Sequence, residues 1–504
     1  MPTEQQSSSA RLVRQLTSVD ASFLAMEDAR TFAHVCGLCI LDPSTAPGGT
    51  FTLSDALELI EQRLHLLPPF RWRLAKVPLG LDHPYWAVDP DFDLEFHVRE
   101  LALPAPGDNE QLAAQVERLV ARPLDRSRPL WELYLIQGLS GDRMALLTKM
   151  HHALIDGVSG AEILGVLFDT DPEGRELPPR TEGDDMDRLP ASLELVARAA
   201  FNWPVRAASA ARGISRTLPK LEGFPTVDDI PGASMVGRMI GRSVSPGSRD
   251  RDGEVVEHPS TRPPRTSLNG SISAHRKFSF GSIPLDTVKQ VKNEYGVTVN
   301  DVIVALSAGA VREFLIRHDD LPSEPLVAMI PISTRKPDEK GTYGNRVSAM
   351  IVPIPTDEPD PVERLRRTHS ELARAKEKLG ALPADLLTDV TNFVPPALFA
   401  RATRATTRLG TSQRFSPLFN LTVSNVPGPP VQLYVGGARL ESNYPVSVIT
   451  DGVALNITVL SYRDQVDFGV VADRELAPDL DLILDTVRAD LKKLEEMAPE
   501  TAGR

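Results

Sequence analysis

The sequence predicts an α/β chain built as two halves joined by a linker. Strand-like and helix-like segments alternate up to about residue 170, and again from about residue 275. Between them the composition turns polar and proline-bearing, in "DTDPEGRELPPRTEGDDMDRLP" and "RSVSPGSRDRDGEVVEHPSTRPPR". A chain of 504 residues is also too long for one ordinary core. The divisions are residues 1–175, a linker over 176–265, and residues 266–504.

The elements follow in order. "TFAHVCGLCIL" has strand-like composition. "SDALELIEQRL" (54–64) opens with a Ser cap and repeats apolar residues at helical spacing, and "EQLAAQVERLVARPL" (110–124) is a second helix that ends near Pro123. "WELYLIQGL" and "MALLTKMHHAL" are strands separated by the short turn "SGDR", which reads as a hairpin, and "GAEILGVLFD" (160–169) is helical. Within the linker, "ASLELVARAAFNWPVRAASAARGISR" (191–216) is a basic amphipathic helix, either lying in a membrane interface or covering the protein body. In the second half, "HRKFSF" is a strand, "LDTVKQVKNEYG" (285–296) a helix stopped by Gly296, and "VTVNDVIVALSAGAVREFLIRH" (297–318) a longer helix. "EPLVAMIPIS" and "NRVSAMIVPIP" are strands. "ALNITVLSYRDQVDFGVVAD" is a strand pair turning at Arg463–Gln465, and "LAPDLDLILDTVRADLKKLEEM" is the last helix.

Composition narrows function. The net charge of −13 argues against broad nucleic-acid binding, which needs basic surface to neutralise phosphate. Val390–Leu440, however, holds no acid while carrying Arg401, Arg404, Arg408, Arg414 and Arg439, either a contact for phosphate or anionic lipid or simply a solvated face. Cys36 and Cys39 are the only cysteines, so no disulfide framework exists and a reducing compartment fits. Residues three apart on a strand face opposite ways, so C-G-L-C is not read as a redox pair. The N-terminus lacks the apolar core of a signal peptide, and no apolar stretch reaches the roughly 20 residues a spanning helix needs. The expected location is cytoplasmic, with peripheral contact at the inner face of the membrane.

The chemistry concentrates in "KMHHALIDGVSGAE" (149–162). Adjacent residues diverge on a strand or a helix, so His151 and His152 are poorly placed to share a metal ion, and no further His/Cys cluster is available. Two readings remain open: histidines satisfied within the core, or one imidazole directed outward for proton transfer, with Asp156 and Gly157 forming the turn that holds it. A nucleophile is not evident. "ALSAG" departs from G-x-S-x-G and places Ser307 inside a helix. A base without a partner nucleophile suggests that the nucleophile belongs to the substrate.

"HHALIDG" resembles the HHxxxDG signature of acyltransferases built like chloramphenicol acetyltransferase and of peptide-synthetase condensation domains. The wider chain resembles the bacterial wax ester synthase/diacylglycerol acyltransferase family: "LTSVDASFLAMED", "DPDFDLEFHVRE", "RPLWELYLIQGL", "TSLNGSIS", "VNDVIVAL", "YGNRVS" and "SNVPGP" follow in that family's order. The resemblance implies two mixed-sheet subdomains with the active site at their interface. It also implies acyl transfer from acyl-CoA, a co-substrate and not a bound cofactor, to diacylglycerol or a long-chain fatty alcohol.

On the matching positions, His152 is the general base, His151, Asp156 and Gly157 complete the motif, and Asn269 is assigned the oxyanion donor. Asp156 turns away to pair with an arginine, for which Arg335 is the candidate. Arg335, Ser424, Asn425 and Arg408 are assigned to the acyl-CoA side. Glu27 closes the first motif, as a site residue or a salt-bridge partner. Asn300, Asp301, Pro129, Leu130 and Trp131 are assigned architectural roles. The partners implied are the two substrates and a membrane or lipid-droplet surface. Competing readings are an acyltransferase or condensing enzyme that takes a carrier-bound thioester, a non-catalytic lipid-binding scaffold, and a hydrolase using Ser307.

Overall fold

A computed structural model describes residues 13–78, 81–154, 163–179, 263–333, 347–380 and 417–497. Asp156, Gly157, Arg335, Arg408 and the 191–216 segment lie outside the described residues.

The first half runs β1 (Val13–Gln15), α1 (Ser18–Met26), β2 (His34–Asp42), α2 (Leu53–Arg63), β3 (Trp72–Ala75), β4 (Tyr85–Val88), α3 (Leu94–His97), β5 (Val98–Ala102), α4 (Asn109–Val120), β6 (Trp131–Leu139) and β7 (Arg143–His151). The second half has β8 (Arg276–Pro284), α5 (Leu285–Tyr295), α6 (Val299–Arg317), β9 (Leu326–Ser333), β10 (Val347–Ile354), α7 (Pro361–Gly380), β11 (Leu421–Pro427), β12 (Tyr434–Val435), β13 (Ala438–Val446), β14 (Leu455–Tyr462), β15 (Gln465–Asp473) and α8 (Asp481–Glu496).

Local chemistry sets the ends. Helix α2 is capped by Thr52, two residues before the expected Ser54, and Asp55 returns the bond to the Thr52 N–H. Asp108 does the same for α4 with Gln111, and that helix stops at Val120, three residues before Pro123. Gly296 ends α5 in the left-handed region (φ 67°), where a side chain is disfavoured.

The sheets are mixed. One six-stranded sheet has the order β10-β9-β11-β14-β15-β8, with β11 parallel to both neighbours. Its apolar residues pack against α5, α6, α7 and α8. The other has the order β12-β13-β2-β7-β6-β5. Strands β12 and β13 follow in sequence from the second half yet pair into the first half's sheet, β13 running antiparallel to β2. The sequence division at 176–265 therefore does not coincide with the sheet boundary.

Where β13 crosses β15, Gly469 lies so close to the Pro445 carbonyl that any Cβ would collide with it. Cys36 and Cys39 are both buried in β2 and belong to different apolar clusters on opposite faces of the sheet, as three-residue spacing on a strand dictates. Burial pushes both thiols up, Cys36 to about 12.

Candidate active site

The hairpin of β6 and β7 delivers the two histidines, and the structure treats them differently. His151 is the last residue of β7 and is fully buried. Its N–H donates to Leu130 O (3.0 Å), its Nδ1 accepts from the Ala153 N–H (3.0 Å), and its Nε2 faces Glu27 Oε1 at 3.3 Å. An imidazole whose Nδ1 accepts must carry its proton on Nε2, so the ring is locked between its own turn and a carboxylate. His152 follows in the turn and is partly exposed. Its N–H donates to Ala33 O (2.7 Å), and its ring lies on Phe23, with centroids 4.0 Å apart and planes 13° from parallel.

Helix α1 and its C-cap supply the ring partners: Phe23 lies in the last turns of the helix and Glu27, whose extended backbone ends it, follows directly, so one serves each histidine. Glu27 is more than a local salt bridge. Its Oε1 accepts from the Ala33 N–H (2.8 Å), while Oε2 accepts from Arg126 Nη2 (2.6 Å) and Nε (3.2 Å). Burial alone would raise its pKa, but His151, the Ala33 N–H and Arg126 overcome that and hold it at about 2. Sequence reasoning does not single out Phe23; its place in "LTSVDASFLAMED", beside Glu27, is the only signal that points to it.

The tryptophan motif sets the height of this arrangement. Leu130 provides the carbonyl for the His151 N–H. Trp131, buried, donates through Nε1 to Phe70 O (2.8 Å) and stacks between Phe70 (4.3 Å) and His97 (4.5 Å). Ser307 is buried inside α6 and donates to Ile303 O (2.8 Å), an ordinary intrahelical bond that leaves it no elbow on which to act.

Asn269 has a different geometry from the one expected of an oxyanion donor. It is fully buried, and its amide donates to Phe419 O (3.3 Å) and Gly452 O (2.8 Å). Its Oδ1 accepts from Asn420 Nδ2 (2.8 Å) and from the Thr266 N–H (3.3 Å). With both N–H groups engaged, Asn269 pins backbone and has no donor to spare. This geometry does not support Asn269 as an oxyanion donor; its hydrogen bonds tie the TSLNGSIS segment to Phe419 and Gly452.

The ND motif likewise ties elements together. Asp301 Oδ2 accepts from the Thr298 N–H (2.8 Å) and stands 2.7 Å from His369 Nδ1, and Asn300 Oδ1 accepts from Asn425 Nδ2 (3.5 Å). Asn425 thereby joins the SNVPGP segment to α6. Val423 packs into the helix-side core, so strand alternation puts the partly exposed Ser424 on the opposite face of β11. Among the described residues, no group of three or more His, Cys, Asp and Glu could hold a metal ion, and no helix is long and apolar enough to cross a membrane.

Comparison with known proteins agrees with this layout. The model of the wax ester synthase/diacylglycerol acyltransferase catalytic domain matches residues 16–303, and that of the WS/DGAT C-terminal domain matches residues 343–495. The chain belongs to the wax ester synthase/diacylglycerol acyltransferase family. It is similar to a Mycobacterium tuberculosis protein assigned the name diacylglycerol O-acyltransferase Rv1760, with 34% identity over 97% of this chain and 91% of that one. Among solved structures it is similar to the wax ester synthase/diacylglycerol acyltransferase from Marinobacter aquaeolei VT8, at 29% identity, covering 96% of this chain and 99% of that one, with a TM-score of 0.68. The first condensation domain of the CDA synthetase shares the fold, with 16% identity, 98% coverage of both chains and a TM-score of 0.53. This acyltransferase therefore has the mixed-sheet α/β architecture expected of it, and acyltransferases of its family use acyl-CoA as a substrate.

Proposed function

We propose that this chain transfers a fatty acyl group from acyl-CoA to the hydroxyl of diacylglycerol or a long-chain fatty alcohol, with His152 as the general base. The observation that carries this reading is the unequal treatment of the two histidines. His151 is locked in the interior, whereas His152 is partly exposed with its ring held flat on Phe23.

In the proposed step an imidazole nitrogen of His152 accepts the proton of the acceptor hydroxyl as that oxygen attacks the thioester carbonyl. The tetrahedral intermediate then expels the CoA thiolate, and the imidazolium returns the proton to sulfur. The ester O–C bond forms, the C–S bond breaks, and the histidine ends as it began. General-base help contributes about 10²–10⁴-fold, and holding both substrates in one cleft contributes more through orientation.

On the acyl-CoA side we assign Ser424 and Asn425, the latter through its hold on Asn300. Arg335 and Arg408 are kept as proposed cationic contacts, with Arg335 also proposed to pair with Asp156. The acceptors are lipids, so we place the protein peripherally at a membrane or lipid-droplet surface, with the acid-free 390–440 region as the proposed contact.

The test is product analysis by thin-layer chromatography with labelled palmitoyl-CoA and either diolein or hexadecanol. Labelled triacylglycerol or wax ester is expected from the native chain, and His152→Ala is expected to lower the rate by about 10²–10⁴-fold. Ester formation unchanged in His152→Ala would overturn the assignment.

A further inference from the structure

Residues 27–34 touch the two histidines at both ends and the second half of the chain in the middle. The Ala33 carbonyl accepts the His152 N–H, and the Ala33 N–H donates to Glu27, which faces His151. His34 stands opposite His151 in the register of β2 and β7. Arg30, three residues before Ala33, reaches out of its own half. Its Nη1 donates to Ser271 Oγ (2.7 Å) and Ile272 O (3.3 Å), and its Nη2 pairs with Asp451 (3.2 Å). From the other side, Arg276 donates to the Arg30 carbonyl, and its guanidinium lies 5.3 Å from the centre of the Phe32 ring.

The receiving surface is extensively hydrogen-bonded. Asp451 is buried, and its Oδ1 accepts from the Ile272 N–H (2.9 Å) and from Ser271 Oγ (3.0 Å). The turn that carries it is tied down by the TSLNGSIS segment: Asn269 donates to Gly452 O, the Gly452 N–H to Gly270 O (3.0 Å), and the Ala454 N–H to Leu268 O (2.9 Å). The Asn-Gly segment therefore builds a seat into which Arg30 fits.

We infer that Arg30 is a positioning residue: seated on Asp451 and Ser271, it couples the docking of the second half to the placement of the His152 ring, through the Ala33 carbonyl. The short stretch between them is tied down at both ends: Asp28 Oδ1 accepts from the Arg30 N–H (2.8 Å) and the Thr31 N–H (2.9 Å), and Glu27 accepts from the Ala33 N–H, so a shift of Arg30 is passed to the group that holds the His152 backbone. The Arg30 side chain is 43% exposed, and buried Asp451 keeps the Ile272 N–H and the Ser271 hydroxyl as donors without it, so loss of Arg30 costs little stability. A merely structural role would therefore barely change the rate constant, whereas a misplacement of about 1 Å can cost around 10²-fold in catalysis.

The inference rests on the reading of His152 as base, and the test separates the two. Arg30→Ala, Arg30→Lys, Asp451→Asn and the Arg30→Ala/Asp451→Asn double variant are made in the full chain. Each is assayed for kcat, for KM with palmitoyl-CoA, for the thermal midpoint, and for the rate at which diethyl pyrocarbonate modifies His152, mapped by mass spectrometry.

We expect kcat to fall by about 10- to 100-fold in Arg30→Ala, with KM and the thermal midpoint little changed and the His152 modification rate altered. Arg30→Lys should recover part of the loss, and the double variant should be no worse than the more damaged single variant, as groups in one network behave. If Arg30→Ala does not fold, Asp451→Asn, which keeps the shape of the seat, carries the test. Unchanged kcat and His152 reactivity, or losses that multiply in the double variant, would overturn the inference. If His152→Ala retained ester formation, the base assignment would fail on its own, and the coupling would still be judged by the modification rate.

Discussion

Glu27 Oε1 stands 3.3 Å from His151 Nε2, and this pair joins the first sequence motif to the histidine motif more than a hundred residues away. The carboxylate is held at about 2 against an ordinary value of 4.5. The unfolded chain therefore binds a proton at this group at a higher pH than the folded chain does. Its stabilising contribution is complete above pH 4.5 and is lost as pH falls toward 2, on the order of 3 kcal/mol in all. Glu27→Gln should be less stable than the native chain at pH 7 and show a flatter stability profile between pH 4.5 and 2. Urea unfolding across that range checks this.

Phe23 is the platform for the His152 ring. Phe23→Ala should leave the ring free to rotate and lower kcat by about 10-fold or more, with a smaller effect in Phe23→Tyr, which keeps the stacking surface. Steady-state kinetics with palmitoyl-CoA and diolein distinguish the two variants.

Asp467 is buried where the two large sheets meet, accepting from Ser282 Oγ (2.6 Å) and the Asn443 N–H (2.7 Å). Burial outweighs those bonds and raises its pKa from 3.8 to about 6. Here the folded chain binds the proton more tightly than the unfolded chain, so stability from this group is present below pH 3.8 and declines as pH rises through 6. Asp467→Asn, which can still accept from Asn443 and can donate to Ser282, should be more stable than the native chain at pH 8, by on the order of 3 kcal/mol at most. The advantage should vanish below pH 4, as measured by thermal unfolding at the two pH values.

Gly469 leaves no room for a side chain under the Pro445 carbonyl. Gly469→Ala should force β15 and β13 apart and cost more than about 3 kcal/mol, in the range reserved for disrupted cores. A Gly296→Ala variant, strained only at an exposed helix end with open space around it, should cost about 1 kcal/mol. Chemical unfolding of the two variants side by side gives the comparison.

Much of this arrangement was legible in the sequence because periodicity is local. The 454–473 strand pair, the stop of α5 at Gly296 and the opposite-facing cysteines follow from spacing and turn chemistry alone. The cap at Thr52 is not legible in the sequence because Thr52, Ser54 and Asp55 all bear capping groups, and the reciprocal bond to Asp55 decides among them. An Asn in a motif invites a chemical role for Asn269; only the carbonyls of Phe419 and Gly452, far away in sequence, show where its two N–H groups go. The membership of β13 in the first sheet was illegible for a related reason: a strand's pattern records that one face is buried, and says nothing of which neighbour it pairs with.

That borrowed strand has a consequence for synthesis. Until residues 438–446 have left the ribosome, the nascent N-terminal half presents β2 as an unpaired, apolar strand edge, which is a template for pairing with other chains. The half cannot be completed by its own residues, so truncations before β13 should aggregate on expression, and this edge is where a chaperone would be needed during translation.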